Sequence, residues 1–428
     1  MEKKDLKQVI IDQKDELKDL IKIERIIDRE FLSKYKKHIN SNIIKVITGI
    51  RRCGKSIFSY QLLKEKDFAY INLDDERLIT LETKDLNNIL EIFYEIHGNF
   101  KFILLDEVQN IYGWELFVNR LKRQGFNLIV TGSNAKLLSK ELATHLTGRH
   151  IPLELFPFSF REFLNYHNIS TKTLLSTKET GLIKRKLNEY IKTGGLPETL
   201  KKNIIPGTYL QALYSTIINK DVILRYRIRF IKTLKDIASY LITNHSSLMS
   251  FNKIKNIFNL KSTHTALNYI SFLEESYLFF FLKRLSFKKK ESLIANRKVY
   301  CIDTGLINTL SFKSSKDTGK LYENLVAIEL LRKKALEDKN IYYWQDIYKN
   351  EVDFVIKQGL KVKQLIQVCY NIEDYDTKKR EIKALLKASK ELKCKNLLII
   401  TEDKEGEETF KNKKITYIPL WKWLLEKI

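Results

Sequence analysis

The chain has 428 residues, more than one ordinary domain, and its length predicts about two to four domains. Hydrophobic residues make up 44% of it, which is enough for packed cores, and no apolar run approaches the roughly 18 residues that a membrane-spanning helix needs. Lysine and arginine outnumber aspartate and glutamate by 76 to 52, for a formal net charge of +24. This excess favours a polyanionic partner such as nucleic acid, although an AT-rich genome that raises lysine content everywhere would produce it too.

The cysteines and the N-terminal residues bear on location. Four cysteines are scattered along the chain, with no CxxC pair and no histidine at metal spacing. A disulfide framework or zinc site is therefore not expected, and a reducing, cytoplasmic location fits. The first residues are charged rather than apolar, so we expect no signal peptide there. Residues 1–42 are predicted to be a helical segment, with one charged helix over 1–40 that packs on the following domain or on a neighbouring subunit.

A phosphate-binding loop of the form G-x-x-x-x-G-K-[ST] lies between a β-branched strand pattern at 43–48 and a helical pattern at 57–63. The glycines let backbone N–H groups wrap a phosphate chain, and the helix N-terminus adds a favourable dipole. Lys55 is expected to reach the β- and γ-phosphates of ATP, and Ser56 to hold Mg²⁺. The predicted ATP-binding residues are Gly49, Ile50, Arg51, Arg52, Cys53, Gly54, Lys55, Ser56 and Ile57. The sequence therefore predicts that the protein binds a nucleoside triphosphate.

A second acidic motif follows the apolar strand that begins at Phe102. Asp106 and Glu107 come at the end of this strand, and another strand, 68–73, separates it from the phosphate loop. Because ligands bind at the carboxyl ends of buried parallel strands, we expect Asp106 to lie beside Ser56 and to help hold Mg²⁺. Glu107 would polarise the attacking water.

Polar residues after the next strand, 127–131, extend this constellation. Ser133 and Asn134 are predicted to sit between the γ-phosphate and the water, although the same residues would also suit a turn with a helix cap. Arg149, which precedes a fifth strand at 151–155, is the best candidate for an arginine finger given to a neighbouring subunit. A structural salt bridge or simple solvation would explain Arg149 almost as well.

These motifs, together with others downstream, resemble those of a known family. The stretches concerned are G-x-R-R-x-G-K-S at 49–56, LLDEVQ at 104–109, TGSN at 131–134, GR at 148–149, LFPFSFREF at 155–163 and GGLPE at 194–198. They look like the AAA-type ATPase module and hinge of bacterial and archaeal ATP-binding proteins whose C-terminal half is a domain of unknown function. The resemblance covers almost the whole chain. It implies an α/β fold with a P-loop, AAA-type ATPase domain over 43–165 and a helical lid or linker over 166–220.

A strongly basic region follows, and we predict a winged-helix domain over 221–312. Short helices are expected at 251–258 and 262–278, the second with Leu267, Ile270, Leu273 and Leu278 facing inward. A β-wing is expected to run from Phe279 to Tyr300. In such domains the second helix enters the major groove and the wing contacts the backbone. The predicted DNA-binding residues are Arg225, Arg227, Arg229, Lys261, Lys288, Lys289 and Lys290. A winged helix that binds protein remains the alternative.

The last region, 313–428, looks like a PD-(D/E)xK nuclease fold, in which acidic residues bind Mg²⁺ and a lysine stabilises the transition state. Glu323 and Asp353 match the first two acidic positions, but Gln367 and Cys369 replace the glutamate and the lysine of the third motif. Lys378 or Lys379 is a candidate for a migrated lysine. The substitutions predict a degenerate nuclease that binds or positions DNA, or simply packs, rather than cutting DNA.

The overall prediction is an ATP-hydrolysing, Mg²⁺-dependent homo-oligomer that acts on DNA. A hexameric ring and branched DNA are suggested by analogy alone. Two alternatives stay open: an ATP-gated nuclease that acts against foreign DNA, and an ATP-dependent signalling switch whose winged helix binds a protein partner.

Overall fold

The computed structural model describes residues 1–23, 25–133, 149–171, 175–286, 288–311, 318–334 and 339–426. The chain divides into two compact units. The first comprises Met1–Phe158 with Glu275–Tyr277, and the second comprises Ser159–Glu274 and Leu278–Ile428. Each unit contains its own clusters of buried apolar side chains.

A parallel five-stranded sheet lies at the centre of the first unit. Its strands are β1 (Ile44–Thr48), β2 (Phe68–Asn72), β3 (Phe102–Asp106), β4 (Asn127–Gly132) and β5 (His150–Glu154). They lie in the order β2-β3-β4-β1-β5. The three central strands are buried along their whole length, which is why their sequences are mainly apolar. Because all five strands run parallel, the carboxyl ends of β1, β3 and β4 meet at one edge of the sheet.

Helices cover this sheet. They are α1 (Lys3–Ile23), α2 (Leu32–Lys36), α3 (Lys55–Leu63), α4 (Leu86–His97) and α5 (Trp114–Arg123). The prediction of a single helix over 1–40 was wrong, because α1 and α2 are separate helices. The expected packing of α1 on the ATPase core is present: Gln13 hydrogen-bonds both the N–H and the carbonyl of Asn72 at the edge strand β2, at 2.8 and 3.0 Å. Leu6, Val9 and Ile10 of α1 belong to the same core as the sheet.

Helices open the second unit. They are α6 (Phe160–Tyr166), α7 (Thr177–Thr193) and α8 (Pro206–Thr216), followed by a π-helical segment at Ile217–Leu224 and then by α9 (Ile231–Thr243). The Gly194-Gly195 turn after α7 is closed by Asp303. The Asp303 carboxylate accepts the Gly195 N–H at 2.7 Å, and a Cβ on Gly194 would lie 2.0 Å from it. Gly194 also has a φ of +78°, so both the space and the backbone require glycine here.

Next comes a small antiparallel sheet with helices. Its elements are β6 (Ser247–Met249), α10 (Phe251–Ile257), α11 (Thr263–Glu275), β7 (Phe279–Leu282), α12 (Lys289–Ile294), β8 (Arg297–Cys301) and α13 (Thr304–Leu310), with strand order β6-β8-β7. Two predictions need correction. The expected wing contains the helix α12 between its two strands, and Leu267 is 40% exposed instead of facing inward. Ile270, Leu273 and Leu278 are buried, as expected.

A six-stranded mixed sheet completes the second unit. Its elements are α14 (Thr318–Lys334), β9 (Asn340–Gln345), β10 (Glu351–Gln358), β11 (Lys361–Val368), α15 (Tyr375–Glu391), β12 (Leu397–Thr401), β13 (Gly406–Phe410), β14 (Lys413–Pro419) and α16 (Leu420–Leu425). The strand order is β13-β14-β12-β11-β10-β9. Asn324, fully buried on α14, exchanges two hydrogen bonds of 2.9 Å with the backbone of Cys301 on β8. This link fixes the neighbouring Glu323 beside β8.

Candidate functional site: a phosphate loop and a lysine–carboxylate cluster

The phosphate loop follows β1 and leads directly into α3. Gly49 has a φ of +148°, and a Cβ there would lie 2.2 Å from the carbonyl oxygen of Leu155. Gly54 forms the N-cap of α3 in the left-handed region, with a φ of +95°. Only glycine fits at Gly49 without displacing the backbone, and the loop therefore has the tight turn that a phosphate cradle requires.

The other loop residues are held from outside the loop. Ile50 and Cys53 are buried, and burial raises the pKa of the Cys53 thiol. Arg51 pairs with Asp74 at 3.1 Å, while Arg52 is exposed and Ile57 is half-buried on α3. Arg29, a residue that the sequence reasoning missed, donates to the carbonyl oxygens of Cys53 and Phe156. It thereby ties the loop to the segment that follows β5.

Lys55 lies at the centre of the site. Its ammonium is 3.2 Å from Glu107 and 3.4 Å from the carbonyl oxygens of Gly49 and Ile50. Burial alone would lower the pKa of Lys55, but Glu107, together with smaller contributions from Cys53 and Asp106, outweighs burial and the pKa is raised. Burial alone would raise the pKa of Glu107, but Lys55, with help from Gln109, lowers it to about 2. Both groups are therefore charged at neutral pH.

Asp106 ends β3 and lies where the sequence predicts. It accepts hydrogen bonds from the hydroxyl groups of Ser56 and Thr131. Burial, reinforced by the charge of Glu107, nevertheless raises its pKa above the usual value. The prediction that Asp106 would lie beside Ser56 is thus met in the geometry, and a carboxylate next to a serine hydroxyl suits Mg²⁺, which prefers oxygen ligands.

Thr131 was missed by the sequence reasoning. Its hydroxyl donates to Asp106 and accepts the N–H of Glu107 at 3.0 Å, so that it links both acidic residues to β4. Glu107 itself has a φ of +51°, which is uncommon for a residue other than glycine. Such backbone conformations persist where surrounding contacts enforce them, and they cluster at functional sites. A hydroxyl at the end of an apolar strand next to β3 is the signal that would have identified Thr131.

The remaining predicted residues of this domain differ in position. Ser133 is buried at the same edge of the sheet, just after β4. Asn134 and Gly148 lie outside the described residues. Arg149 precedes β5, and its carbonyl accepts the N–H of Ile44 at the amino end of β1, whereas the phosphate loop follows the carboxyl end. The structure therefore does not bring Arg149 to the phosphate loop of its own chain; its guanidinium donates to Asn119 at 3.1 Å.

In the second unit, a buried cluster unites Glu323 and Asp353 with a lysine that the sequence reasoning placed in the wing. The Lys298 ammonium lies 2.8 Å from Glu323, 2.8 Å from Asp353 and 2.7 Å from Glu351. The Lys298 side chain is 2% exposed. Tyr300 donates to the same Glu323 oxygen at 2.7 Å. We call Lys298, Tyr300, Glu323, Glu351 and Asp353 the Lys298 cluster.

The charges of the Lys298 cluster are strongly coupled. Burial alone would lower the pKa of Lys298, but its three carboxylate neighbours raise it well above the usual value. Burial and the charge of Asp353 raise the pKa of Glu323 to about 8, although Lys298 opposes the shift. In the part of the chain that the structure describes, no group of three or more His, Cys, Asp or Glu residues is arranged to hold a metal ion.

Gln367 and Cys369 flank this cluster without supplying a charge. The Gln367 side chain accepts the Asp353 N–H at 3.2 Å and donates to Glu381 at 2.6 Å. Cys369 is buried, and burial raises its pKa to about 12. Lys378 pairs with Glu408 and Lys379 is exposed, and a migrated lysine at one of these positions stays a prediction.

The predicted DNA-binding residues are unequally exposed. Arg225 lies 3.8 Å from the buried Asp221, and its side chain is only 15% exposed. Arg227, Arg229, Lys261, Lys288 and Lys290 are exposed, and Lys289 begins α12. Tyr226, which lies between Arg225 and Arg227 in the sequence, stacks on Phe272 with ring centroids 4.0 Å apart. The helix α11 carries no lysine or arginine.

Comparison with known proteins identifies domains in the order that the sequence motifs suggest. A family described as an AAA domain matches residues 41–164, and two families described as domains of unknown function, DUF8612 and DUF4143, match residues 184–317 and 318–423. No helix in the described ranges is long and apolar enough to cross a membrane.

Relatives match over nearly the full length. The uncharacterized protein MJ1544 of Methanocaldococcus jannaschii is 40% identical over 94% of both chains. An uncharacterized protein of Haemophilus influenzae is 29% identical over 82% of this chain and 88% of its own. Among solved structures, the Walker-type ATPase PABY2304 of Pyrococcus abyssi aligns with 67% of this chain and 96% of its own, at 17% identity and a TM-score of 0.44.

Proposed function

Because the chain belongs to a family of AAA-type ATPases that carry C-terminal domains of unknown function, we propose that it hydrolyses ATP at the loop between β1 and α3. The observation that carries the proposal is the convergence of Lys55, Asp106 and Glu107 at one edge of the parallel sheet. Lys55 and the backbone N–H groups of the loop bind the phosphates. Ser56 and Asp106 hold Mg²⁺, which neutralises charge that develops on the phosphate oxygens.

Glu107 acts on the water. Its low pKa means that the carboxylate is ionised at neutral pH, and it can therefore orient the water and accept a hydrogen bond from it. The triphosphate competes with Glu107 for Lys55, because both are anions within reach of one ammonium. When Lys55 turns to the phosphates, the carboxylate is released towards the water. Thr131 holds the backbone of Glu107 and the carboxylate of Asp106 in register throughout.

Phosphate release from Mg-ATP tests this proposal. Wild type should hydrolyse ATP, and Lys55→Ala should lose both binding and turnover. Glu107→Gln should still bind nucleotide, measured with a fluorescent ATP analogue, because the amide keeps the shape of the side chain. Lys66→Ala, in the same unit but outside the site, is the matched lysine control and should retain wild-type turnover. Equal turnover by all four proteins would refute the proposal.

Arg149 is proposed to act in a neighbouring subunit of a homo-oligomer. Support comes from its place at the amino end of β5, since a five-residue strand puts about 16 Å between that end and the phosphate loop. Mixing Arg149→Ala with Lys55→Ala should restore activity if each variant can supply what the other lacks. Sedimentation with and without ATP reports the oligomeric state. Full activity of Arg149→Ala alone would refute this role.

DNA binding is the second part of the proposal. Residues 231–301 have the order helix, strand, helix, helix, strand, helix, strand, which resembles that of a winged helix apart from α12 inside the wing, and exposed cations lie at both ends of this region. Because α11 has no lysine or arginine, we expect contacts to phosphates through Arg227, Arg229 and Lys288 rather than base readout. Duplex and four-way-junction DNA should stimulate hydrolysis, with an effect that weakens as salt rises.

A protein-directed switch is the competing function, and the absence of lysine and arginine from α11 favours it. Leu267 is exposed there, and an exposed apolar side chain on such a helix suits a protein partner. ATP hydrolysis that is indifferent to every form of DNA, together with loss of a partner in Leu267→Asp, would favour the switch.

We also propose that the Lys298 cluster does not cleave DNA. The Lys298 ammonium already pairs with the carboxylates that would have to hold a divalent cation, and Gln367 adds no charge. Plasmid DNA should remain intact with Mg²⁺ or Mn²⁺. Cleavage that is abolished by Asp353→Ala would revive the ATP-gated nuclease.

A further inference from the structure

A groove of about 890 Å³ runs along one face of α15 in the second unit, bordered by the turn between β13 and β14. No part of the ATPase site or of the Lys298 cluster lines it. Seven of its eleven lining residues are lysines, and none is acidic. We call it the α15 groove.

The lysines of the α15 groove fall into two groups. Lys378 pairs with Glu408, Lys387 pairs with Asp346, and Lys413 donates to the hydroxyl of Ser389. The others have no acidic partner among the residues that the structure describes; they are Lys379, Lys383, Lys390 and Lys411. All four are exposed. The groove thus concentrates positive charge that the protein itself leaves unneutralised.

The spacing of these lysines gives the charge a direction. Lys379, Lys383 and Lys390 are separated by four and seven residues, so they lie on one face of α15. Eleven residues of helix span about 17 Å, which makes the cationic row linear rather than a compact pocket. A linear polyanion therefore matches it better than a single phosphate.

Aromatic and apolar side chains lie beside the cations. Tyr375 is 72% exposed at the start of α15, with the Lys379 ammonium 5.7 Å from its ring centroid. Phe410 lines the opposite side, and Ile382 and Leu386 lie between them. Unpaired bases can stack on such rings, whereas the bases of a duplex are already stacked on each other.

We propose that the α15 groove binds single-stranded nucleic acid, with phosphates on Lys379, Lys383, Lys390 and Lys411 and a base stacked on Tyr375. The occupant follows from the linear cationic row combined with the exposed ring of Tyr375 and the half-buried ring of Phe410, a pairing that neither an acidic peptide nor a lipid surface requires. This site is separate from the proposed winged helix. It shares with the proposed function only the class of partner.

The test is fluorescence anisotropy of a labelled oligothymidylate of about 16 nucleotides with the full-length protein. Four phosphate contacts predict a slope of about −2.8 in log K against log salt, or roughly 50-fold weaker binding at 200 mM than at 50 mM salt. Replacing Lys379, Lys383 and Lys390 together by Gln should reduce the slope by about 2. Tyr375→Ala should weaken binding by about 5- to 150-fold.

The matched control replaces Lys361, Lys363 and Lys395 by Gln, which makes the same change in net charge at exposed positions outside the groove. It should bind like wild type. Equal loss in both triple variants would mean general charge attraction and would overturn the proposal. So would binding to phosphatidylserine vesicles without binding to the oligonucleotide. If duplex DNA still stimulates ATP hydrolysis in either case, the proposed function survives while the groove assignment fails.

Discussion

The phosphate loop and the Lys298 cluster each contain a buried lysine that contacts carboxylates. The two lysines differ in whether a ligand could replace those carboxylate partners. Lys55 has one close carboxylate partner, Glu107, whose side chain remains 15% exposed, and it also contacts two backbone carbonyl groups. Lys298 contacts three carboxylates within 2.8 Å. A lysine with one partner can exchange that partner for a phosphate. A lysine enclosed by three cannot do so without leaving a buried net negative charge.

The comparison separates two uses of the same ion pair. Breaking a buried ion pair by removal of one partner is costly, because the remaining charge has lost its hydrogen bonds and its solvent. In the Lys298 cluster the ammonium acts as a fixed internal cation that connects β8, α14 and β10. In the phosphate loop the same chemistry is left partly open to a ligand.

Replacing each lysine by Met should give the largest difference between the two sites. Lys298→Met should destabilise the protein by about 3–5 kcal/mol, because the buried carboxyl groups of the Lys298 cluster then lose the ammonium with which they pair. Lys55→Met should abolish ATP hydrolysis with a much smaller loss of stability. Urea unfolding measures both, with the exposed Lys361→Met as the matched control. If Lys298→Met unfolds at the same urea concentration as the control, the cluster is not a structural cation site.

Glu107→Gln is the next test, and it concerns the phosphate-loop site. We expect ATP hydrolysis to fall by about 100-fold or more, since the neutral amide is a weaker hydrogen-bond acceptor for the water than the carboxylate. Gln109→Ala, which removes only a hydrogen-bond donor to Glu107, should have a far smaller effect. Single-turnover measurement of phosphate release separates chemistry from product release. Comparable rates for Glu107→Gln and wild type would assign the water to another residue.

The pH dependence of stability tests the protonation of Glu323 in the Lys298 cluster. The folded protein holds a proton on Glu323, with a pKa of about 8, that the unfolded chain releases near its ordinary value of 4.5. The contribution of this group is therefore complete below about pH 4.5 and is lost as pH rises through about 8. Glu323→Gln should flatten the decline between about pH 6 and 8, which would otherwise be at most about 1.4 kcal/mol per pH unit. If the stability of both proteins declines with the same slope between these pH values, Glu323 is not protonated in the folded protein.

Thr131→Val should have the smallest effect. The variant keeps the shape of the side chain but loses the hydroxyl that joins Asp106 to the Glu107 N–H. We expect a loss of about 1–2 kcal/mol in stability and about tenfold in ATP hydrolysis. Thr80→Val, an exposed threonine of the same unit, is the control. Wild-type turnover in Thr131→Val would mean that this hydroxyl is not needed to position Glu107.

How far sequence alone could reach differs between the two sites. The phosphate loop is one continuous motif, and Asp106 and Glu107 form another. Each motif follows an apolar strand, so the sequence predicts that both lie at the same edge of the sheet. The Lys298 cluster assembles residues from β8, α14 and β10, and no local motif contains them all. One signal was available: Glu351 and Asp353 are two residues apart on one strand and therefore face the same side.

Two predictions failed because they judged the burial of side chains from the local sequence alone. Lys298 was expected in a wing, yet it follows Arg297 in a strand whose next residues, Val299, Tyr300 and Cys301, are all fully buried. Leu267 was expected to face inward, yet the apolar pattern of α11 is wider than the face that packs. In both cases the neighbouring elements, which local periodicity does not contain, determined which side chains were buried.

We propose that Lys55 belongs to an ATPase site and can exchange its ion pair with Glu107 for contacts with the phosphates of ATP. Steady-state phosphate release from Mg-ATP by wild type and Lys55→Met, at matched protein concentration, tests it most directly. We expect clear turnover by wild type and at least about 100-fold less by Lys55→Met, since the phosphates lose their cation. Equal turnover by the two proteins, or none by wild type across a range of ATP concentrations, would contradict it.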